Sequence, residues 1–298
     1  MQFTKGHGTG NDFVIIPDPQ GRLTLTPELV AGLCDRRFGL GADGVLRVVR
    51  SAGHPEAARY ADEAEWFMDY RNADGSLAEM CGNGARVFVR YLLTHGLAAE
   101  PAPPVATRAG VVRTRVDGDG VCVQMSRPRV YGGSTAEVGG RRLAGSAVDV
   151  GNPHLVCPLP AGIALADLDL TRPPGFDPVL FAAGVNVEFV EPAEGSAGVP
   201  EGSAGVPDGA GGAPADPHVR MRVHERGSAE TLSCGTGACA VAAVVLRQAG
   251  RDTGTVTVDV PGGRLVVTVE ETSCWLSGPA VLVASGEIDT AALASHRA

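Results

Sequence analysis

The sequence has no long hydrophobic run and no dense cluster of basic residues. None of its 298 residues belongs to an apolar stretch of eighteen or more, so we expect no membrane-spanning helix. The first residues, MQFTKGHGTGNDF, lack the apolar core of a signal peptide. Acidic residues outnumber basic ones by 34 to 25, and the basic residues are scattered. Nucleic acids and anionic membranes both require clustered positive charge, so the sequence predicts neither as a partner.

The cysteines also lack a recognisable spacing. The chain has seven of them, an odd number, and no two are spaced as C-x-x-C. Such usage argues against both a disulfide framework and a zinc site. We therefore expect free thiols in a reducing compartment, which places the protein in the cytoplasm.

One short stretch does occur in both halves of the chain. EMCGNGARVFVRYLLTHG begins at Glu79, and LSCGTGACAVAAVVLRQAG begins at Leu232. In each, a cysteine and Gly-x-Gly-Ala precede apolar residues at helical spacing, and a glycine, Gly96 or Gly250, can end the helix. Few charges interrupt either run, which predicts two helices that are buried nearly all round.

Each predicted helix is followed by a predicted β-hairpin. The first is VVRTRV, DGDG and VCVQM, and the second is TVTVDV, PGG and RLVVTV. Both alternate apolar and polar residues about a glycine-containing turn. The repeated order of cysteine, buried helix and hairpin indicates an internal duplication into two α/β domains of similar design.

A segment of different composition interrupts the second half at about 193–216. EGSAGVP at 194–200 is repeated directly at 201–207 and is followed by DGAGGAPADP. Residues of this kind cannot bury a core of their own. We interpret the segment as a flexible insertion in the loop between the strand-like stretches VNVEFVE and HVRMRVHE.

The two repeated cysteines, Cys81 and Cys234, suit acid–base chemistry. A thiol at the start of a helix has its pKa lowered by the helix dipole. The first backbone N–H groups of a helix have no partner within the helix and can bind a carboxylate. If two such helix ends faced each other, they would hold a carboxylate and place one sulfur on each face of the adjacent carbon. A thiolate and a thiol could then invert that centre by removing one proton and supplying another.

Polar residues flank both cysteines. Asn72 precedes Cys81 by nine residues, and Glu225 precedes Cys234 by nine. Three further asparagines, Asn11, Asn152 and Asn186, lie beside a glycine or a predicted strand. Each alone is a turn signal, but together they supply amide groups suited to an ammonium and a carboxylate.

These motifs resemble those of the diaminopimelate epimerases, amino-acid epimerases of lysine and peptidoglycan biosynthesis that use no pyridoxal phosphate. The matching segments are KGHGTGNDFVII, DRRFGLGADGV, NADGSLAEMCGNGAR, GNPH, GVNVEF, ERGSAETLSCGTGACA and SGPAVLVASGEI. They keep the family's order and cover the chain except for the insertion at 193–216.

The resemblance implies an α+β fold of two pseudosymmetric α/β domains, each a mixed β-sheet wrapped around a central helix. Residues 1–125 with 280–298 would form the domain that carries Cys81, and residues 126–279 the domain that carries Cys234. The resemblance also implies an active site between the domains and a homodimer.

The activity implied is the interconversion of LL- and meso-2,6-diaminopimelate, with Cys81 and Cys234 as the acid–base pair and no cofactor or metal. Arg226 would hold the distal carboxylate of the substrate, and His154 and Glu225 would adjust the proton affinity of the sulfurs. By matching motif, the substrate contacts are Asn11, Asn72, Gly82, Asn83, Asn152, Asn186, Glu225, Arg226, Gly235 and Thr236.

Three alternatives remain at this stage. A proline or hydroxyproline racemase would use the same two cysteines, but NADGS, ERGSAET and an arginine for a second carboxylate favour diaminopimelate. A non-catalytic amino-acid-binding protein could use the same helix ends for binding alone. A cysteine hydrolase with His154 as its base would leave the second cysteine motif unexplained.

Overall fold

The computed structural model describes residues 1–118, 120–193 and 216–294. The chain divides into two compact units, Met1–Gln124 with Ser277–Ala298 and Met125–Leu276. Residues 194–215, which include both repeats of the predicted insertion, lie outside the described residues. Among the helices of the described ranges, none is long and apolar enough to cross a membrane.

Strands outnumber helices in both units. The first part of the chain forms β1 (Gln2–Gly8), β2 (Asn11–Pro17), α1 (Pro27–Cys34), β3 (Gly44–Arg50), β4 (Trp66–Asn72), α2 (Gly82–Thr94), β5 (Val105–Thr107), β6 (Gly110–Val112), β7 (Thr114–Asp117) and β8 (Gly120–Met125). The middle part forms β9 (Arg129–Val138), β10 (Arg141–Asp149), β11 (Pro153–Pro158), β12 (Asn186–Pro192), β13 (His218–Glu225), β14 (Ala229–Thr231), α3 (Gly235–Gln248), β15 (Gly254–Val260), β16 (Gly263–Val269) and β17 (Cys274–Pro279). The last elements are β18 (Val281–Glu287) and α4 (Thr290–Ala294).

The sheet of the first unit is mixed. Its strand order is β18-β1-β2-β3-β4-β5-β6. The pairs β2–β3 and β4–β5 are parallel, and the other neighbours are antiparallel. The C-terminal strand β18 closes this sheet beside β1, so the last part of the chain completes the first unit.

Helices cover both faces of that sheet. Val14 and Ile16 of β2 pack with α1 in one apolar cluster. Their neighbour Phe13 points the other way, toward Gly84 at the start of α2. Because successive side chains of a strand point to opposite faces, the run Phe13 to Ile16 is apolar throughout and fully buried.

The sheet of the second unit is mixed in the same way. Its strands follow the order β17-β16-β15-β13-β12-β11-β10-β9, and β14 pairs with β13. The pairs β11–β12 and β13–β15 are parallel. The predicted hairpin about PGG is confirmed as β15–β16, in which Val260 pairs with Gly263.

The first predicted hairpin is only partly correct. Its return strand is β8, which pairs with β7. The preceding residues Val111 and Val112 belong instead to β6, which pairs with β5. The predicted strand is therefore divided at Arg113, because its two ends pair with different partners.

Both predicted buried helices are confirmed, and both end in the same way. After α2, Leu97 N donates to Leu92 O over 2.9 Å, and Gly96 has a φ of +63°. After α3, Arg251 N donates to Leu246 O over 2.9 Å, and Gly250 has a φ of +70°. These are Schellman ends, which favour glycine because it adopts positive φ without strain.

Candidate active site

In the first unit, Cys81 is the N-cap of α2. Its backbone is extended, with φ −139° and ψ 119°, and its sulfur accepts a hydrogen bond from Gly84 N at 3.4 Å. A cysteine sulfur therefore takes the place that a serine or aspartate oxygen usually has at a helix start. The predicted contacts Gly82 and Asn83 form the first turn of this helix, and the first turn of a helix is a site at which anions can bind.

Asn11 lies beside this sulfur. Its Oδ1 is 3.6 Å from Cys81 Sγ and accepts a hydrogen bond from Asn83 Nδ2 at 3.3 Å. On its other side, Asn11 Nδ2 donates to Asp43 Oδ2 at 2.7 Å. The contact with Asp43 fixes which way the amide points and leaves its oxygen toward Cys81.

A tight turn and a buried arginine support Asn11. Thr9 and Gly10 join β1 to β2 as a two-residue loop with positive φ, +50° and +82°. Positive φ at both loop positions is typical of type I′ hairpin turns, but it is strained for a β-branched threonine. Arg86, fully buried on α2, donates from Nη2 to Thr9 Oγ1 at 3.3 Å and to Asn83 Oδ1 at 2.6 Å.

Asn72, the remaining predicted contact in this unit, is the last residue of β4. Its Nδ2 donates to Ser76 Oγ at 3.0 Å, and its backbone N donates to Ser76 O at 3.0 Å. The side chain is thus held by the turn that follows it in the sequence.

In the second unit, Cys234 is the N-cap of α3 and repeats the geometry of Cys81. Its sulfur accepts from Gly237 N at 3.4 Å and lies 3.5 Å from Thr236 Oγ1. Gly235 and Thr236, both predicted substrate contacts, form the first turn. Cys234 is buried, with 5% of its surface exposed.

The pKa of the Cys234 thiol departs from the expectation that a helix start lowers it. Burial raises the pKa well above the ordinary value for cysteine, and the negative charges of Glu225 and Glu188 raise it further. The contacts with Thr236 and Gly237 N act in the opposite direction and do not offset the increase. Desolvation and the two carboxylates therefore outweigh the hydrogen bonds that this sulfur makes at the helix start.

A series of polar contacts leads from Glu188 on β12 to Thr236 in the first turn of α3. His154 Nδ1 is 2.7 Å from Glu188 Oε1, and His154 Nε2 is 3.0 Å from Asn152 Oδ1. Asn152 Nδ2 then donates to Thr236 Oγ1 at 3.5 Å. The structure therefore brings the predicted residues Asn152, His154 and Thr236 together with Cys234.

Asn186 and Arg226 form a second group in this unit. Asn186 Oδ1 accepts from the backbone N of Arg226 at 2.9 Å, and Asn186 Nδ2 donates to Pro153 O at 3.3 Å. The guanidinium of Arg226 donates from Nη1 to Ala183 O at 3.0 Å. Glu225 accepts a hydrogen bond of 2.5 Å from Thr231 Oγ1. Asn186 thus fixes the backbone that carries Arg226.

Two residues next to these sites are not among the predicted ones. Glu188, inside GVNVEF, is a charged residue in a largely apolar predicted strand. A charge at such a position is the feature by which the sequence could have indicated this residue. Arg86, inside CGNGAR, is a charge within a helix predicted to be buried all round. A charge that a pattern places inside a core needs a partner, and this rule would have pointed to both residues.

In the ranges 1–118, 120–193 and 216–294, no group of three or more His, Cys, Asp or Glu side chains could hold a metal ion.

The sequence matches a known family along most of its length. The model of the family described as diaminopimelate epimerase matches residues 3–131 and 146–287. A diaminopimelate epimerase of Streptomyces coelicolor is 51% identical over 305 residues, with 98% of this chain and 96% of that protein covered. A diaminopimelate epimerase of Mycolicibacterium smegmatis is 48% identical over 304 residues, with 97% of each chain covered.

The fold has solved neighbours of lower sequence identity. A crystal structure of a probable proline racemase from Agrobacterium radiobacter superposes with a TM-score of 0.64, covering 97% of this chain and 92% of that one. The two sequences are 15% identical, so the similarity concerns the fold alone. It confirms the predicted two-domain α+β fold with mixed sheets.

The sequence identities also confirm the predicted enzyme class, an isomerase. By the match of its family model and by relatives of about half-identical sequence over nearly the whole chain, this protein belongs to the diaminopimelate epimerase family.

Proposed function

We propose that this chain interconverts LL- and meso-2,6-diaminopimelate through Cys81 and Cys234. One observation carries the proposal: each compact unit has a cysteine that caps a buried, glycine-rich helix, and each sulfur accepts from the N–H three residues later. Relatives of this chain that share 48% and 51% of its sequence are named diaminopimelate epimerases.

In the proposed reaction, one sulfur, as a thiolate, removes the proton from the α-carbon that reacts. The electron pair of the broken C–H bond is delocalised into the neighbouring carboxylate. The other sulfur, as a thiol, gives its proton to the opposite face of the same carbon and becomes the thiolate. The reverse reaction uses the two sulfurs in exchanged roles, so no net oxidation or reduction occurs.

The substrate contacts are proposed from the residues that each unit places around its sulfur. The N–H groups of the first turns of α2 and α3 suit the reacting carboxylate and the charge that develops on it. Asn11 and Asn83 in the first unit, and Asn152 in the second, offer amide groups beside the sulfurs. We assign the distal carboxylate to Arg226, whose guanidinium can form two parallel hydrogen bonds. Asn72, Asn186 and Glu225 complete the proposed set.

The alternatives are less well supported. The similarity to a proline racemase is limited to the fold, because the sequences are 15% identical. A binding protein would have no need for a cysteine at both helix starts. The proposal also includes a homodimer. It places the protein in the cytoplasm, whose reducing environment suits seven free cysteines.

The direct test is isotope exchange during turnover. The purified protein is incubated with LL-diaminopimelate in D2O, and the stereoisomers are separated and weighed by mass spectrometry. The proposal requires meso product with one deuterium at the inverted α-carbon. A protein that binds the substrate but gives neither meso product nor deuterium would be a binding protein, and the proposal would be wrong. L-proline in the same assay tests the racemase alternative.

A further inference from the structure

A carboxylate is buried inside the second unit, next to the start of α3. Glu188 lies in the middle of β12, and its side chain has no exposed surface. Its strand neighbours Val187 and Phe189 belong to the apolar cluster on the opposite face of the sheet. Glu188 therefore points to the face that α3 covers, since α3 packs on β11 and β12.

The carboxylate is in contact with the first turn of α3. A Cβ at Gly237 would lie 2.7 Å from Glu188 Oε1 and 3.2 Å from Glu188 Cδ. The absence of a side chain at Gly237, the second glycine of the CGTG motif, thus allows Glu188 to approach the helix. A negative charge in this position is stabilised by the positive end of the helix dipole.

One oxygen of the Glu188 carboxylate contacts His154, which is one of the predicted site residues. Glu188 Oε1 lies 2.7 Å from His154 Nδ1, and neither side chain has exposed surface. Glu188 Oε2 is buried and has no hydrogen-bond partner among the residues that the structure describes. Because a carboxylate oxygen can only accept, His154 Nδ1 is the donor in this contact.

A series of contacts links Glu188 to the sulfur of Cys234. The Nε2 atom of His154 lies 3.0 Å from Asn152 Oδ1. Asn152 Nδ2 donates to Thr236 Oγ1 at 3.5 Å. Thr236 Oγ1 is itself 3.5 Å from Cys234 Sγ. The steps from Glu188 to His154 and from Asn152 to Thr236 join distant segments, whereas the other two each join residues two positions apart.

We propose that Glu188 is a positioning residue for the Cys234 half of the site. Its carboxylate fixes the ring of His154, and His154 in turn fixes Asn152 against Thr236. This inference rests on the proposed function, because it assigns a role in that reaction.

The electrostatics agree with a role beyond packing. Burial raises the pKa of Glu188, and Glu225 adds to the increase, whereas the charge and hydrogen bond of His154 oppose it. An apolar residue would fill the same volume without this desolvation cost. The carboxylate is therefore a specific feature of the strand, matched to the histidine that it holds.

The test compares three variants. Glu188→Leu keeps the approximate volume and removes the acceptor. Glu188→Gln keeps an acceptor and removes the charge. Glu191→Gln is the matched control, because Glu191 lies on the same strand but accepts from Leu165 N and pairs with Arg220. Thermal unfolding of all variants shows which of them are folded.

The first readout is the imidazole of His154 in protein labelled with ¹⁵N-histidine, with signals assigned from a His154→Gln variant. We expect a hydrogen-bonded Nδ1 proton in the wild type and the control, a weaker hydrogen bond in Glu188→Gln, and no such proton in Glu188→Leu. Unchanged ring signals in both Glu188 variants would overturn the inference. Glu188→Gln keeps the test valid if Glu188→Leu does not fold.

The second readout is the kinetics of epimerisation. A small displacement of a positioning group can cost about 100-fold in rate. We expect kcat to fall by about 100-fold in Glu188→Leu and by about 10-fold in Glu188→Gln, with KM changed by less than about 3-fold. Wild-type kcat in both folded variants would overturn the inference. If the wild-type protein itself does not epimerise diaminopimelate, the proposed function fails, while the ring signals still decide whether Glu188 positions His154.

Discussion

Arg86 donates a 2.6 Å hydrogen bond from Nη2 to Asn83 Oδ1, from a side chain with no exposed surface. Asn83 in turn donates a hydrogen bond from Nδ2 to Asn11 Oδ1, and this oxygen lies beside Cys81 Sγ. The equivalent position of α3 is Cys239, also five residues after the cysteine that caps its helix. The two halves therefore share a helix start but support it with different chemistry.

This difference predicts the effect of changing Arg86. Arg86→Gln leaves the buried Asn83 oxygen without its charged donor, and such a loss costs about 1–3 kcal/mol of stability. Arg86→Lys keeps the charge but loses the planar fork, so we expect an intermediate effect. Urea unfolding measures the stability, and kcat of the folded variants measures the site. Cys239→Ala is the matched substitution in α3. Wild-type stability and wild-type kcat in Arg86→Gln would contradict the assignment.

Removing either capping cysteine should stop epimerisation. We expect Cys81→Ala and Cys234→Ala each to lose at least about 100-fold in kcat, the lower range for a lost general acid or base. Both variants should remain folded, because a helix cap contributes about 1 kcal/mol. Cys122→Ala, in the half-buried middle of β8, serves as the control. Full activity in either capping variant would contradict the two-thiol mechanism.

The glycine three residues after each cysteine also has different surroundings in the two halves. A Cβ at Gly237 would lie 2.7 Å from Glu188 Oε1, whereas a Cβ at Gly84 would find its nearest neighbour, Leu46 Cδ2, at 3.3 Å. We expect Gly237→Ala to cost about 1–3 kcal/mol through overpacking. Gly84→Ala should stay within about 1 kcal/mol of the wild type, since helix propensity favours alanine. Urea unfolding of the two variants gives the comparison. Equal losses would show that Glu188 does not occupy the space at Gly237.

Acid should weaken the first unit through Asp12, the residue after Asn11. Burial raises the pKa of Asp12, but hydrogen bonds and charges from Arg36 and Lys5 more than compensate and lower it to about 2. The pKa of an unfolded aspartate is about 3.9. The ionised form therefore stabilises the fold above that value, and this contribution is lost as the pH falls toward 2.

Asp12→Asn tests this pH dependence. The variant should be less stable than the wild type at pH 7, and the difference should shrink as the pH falls from about 4 to about 2. Urea unfolding at several pH values measures the difference, with the exposed Asp62→Asn as control. A difference that does not change with pH would mean that the ion pairs of Asp12 do not contribute in this way.

Some features of the site were accessible to sequence reasoning because they are local. A cysteine followed by Gly-x-Gly-Ala and a helical apolar run predicts a capped helix, and the final glycine predicts where it ends. Asn11, Asn152 and Thr236 could be named because their motifs resemble those of the family. The Schellman ends at Gly96 and Gly250 needed nothing beyond the preceding turn of helix.

The same local reasoning gave the wrong pKa direction at Cys234. A helix start lowers the pKa of a thiol only where the thiol keeps contact with water or positive charge. Burial and the charges of Glu225 and Glu188 depend on how β12 and β13 pack against α3, and they raise the pKa instead. The sequence motif does not contain that information.

By itself, the sequence determined the two capped helices, the apolar strands and the family, since each depends on residue order within one segment. Tertiary structure alone decided that Glu188 meets His154, because the parallel pairing of β11 and β12 joins positions 34 residues apart. It also decided that Arg86 meets Thr9, since the two residues are 77 positions apart and the packing of α2 on the sheet brings them together. Contacts between distant segments follow from packing and from the cost of burying charge, and neither is written in a local pattern.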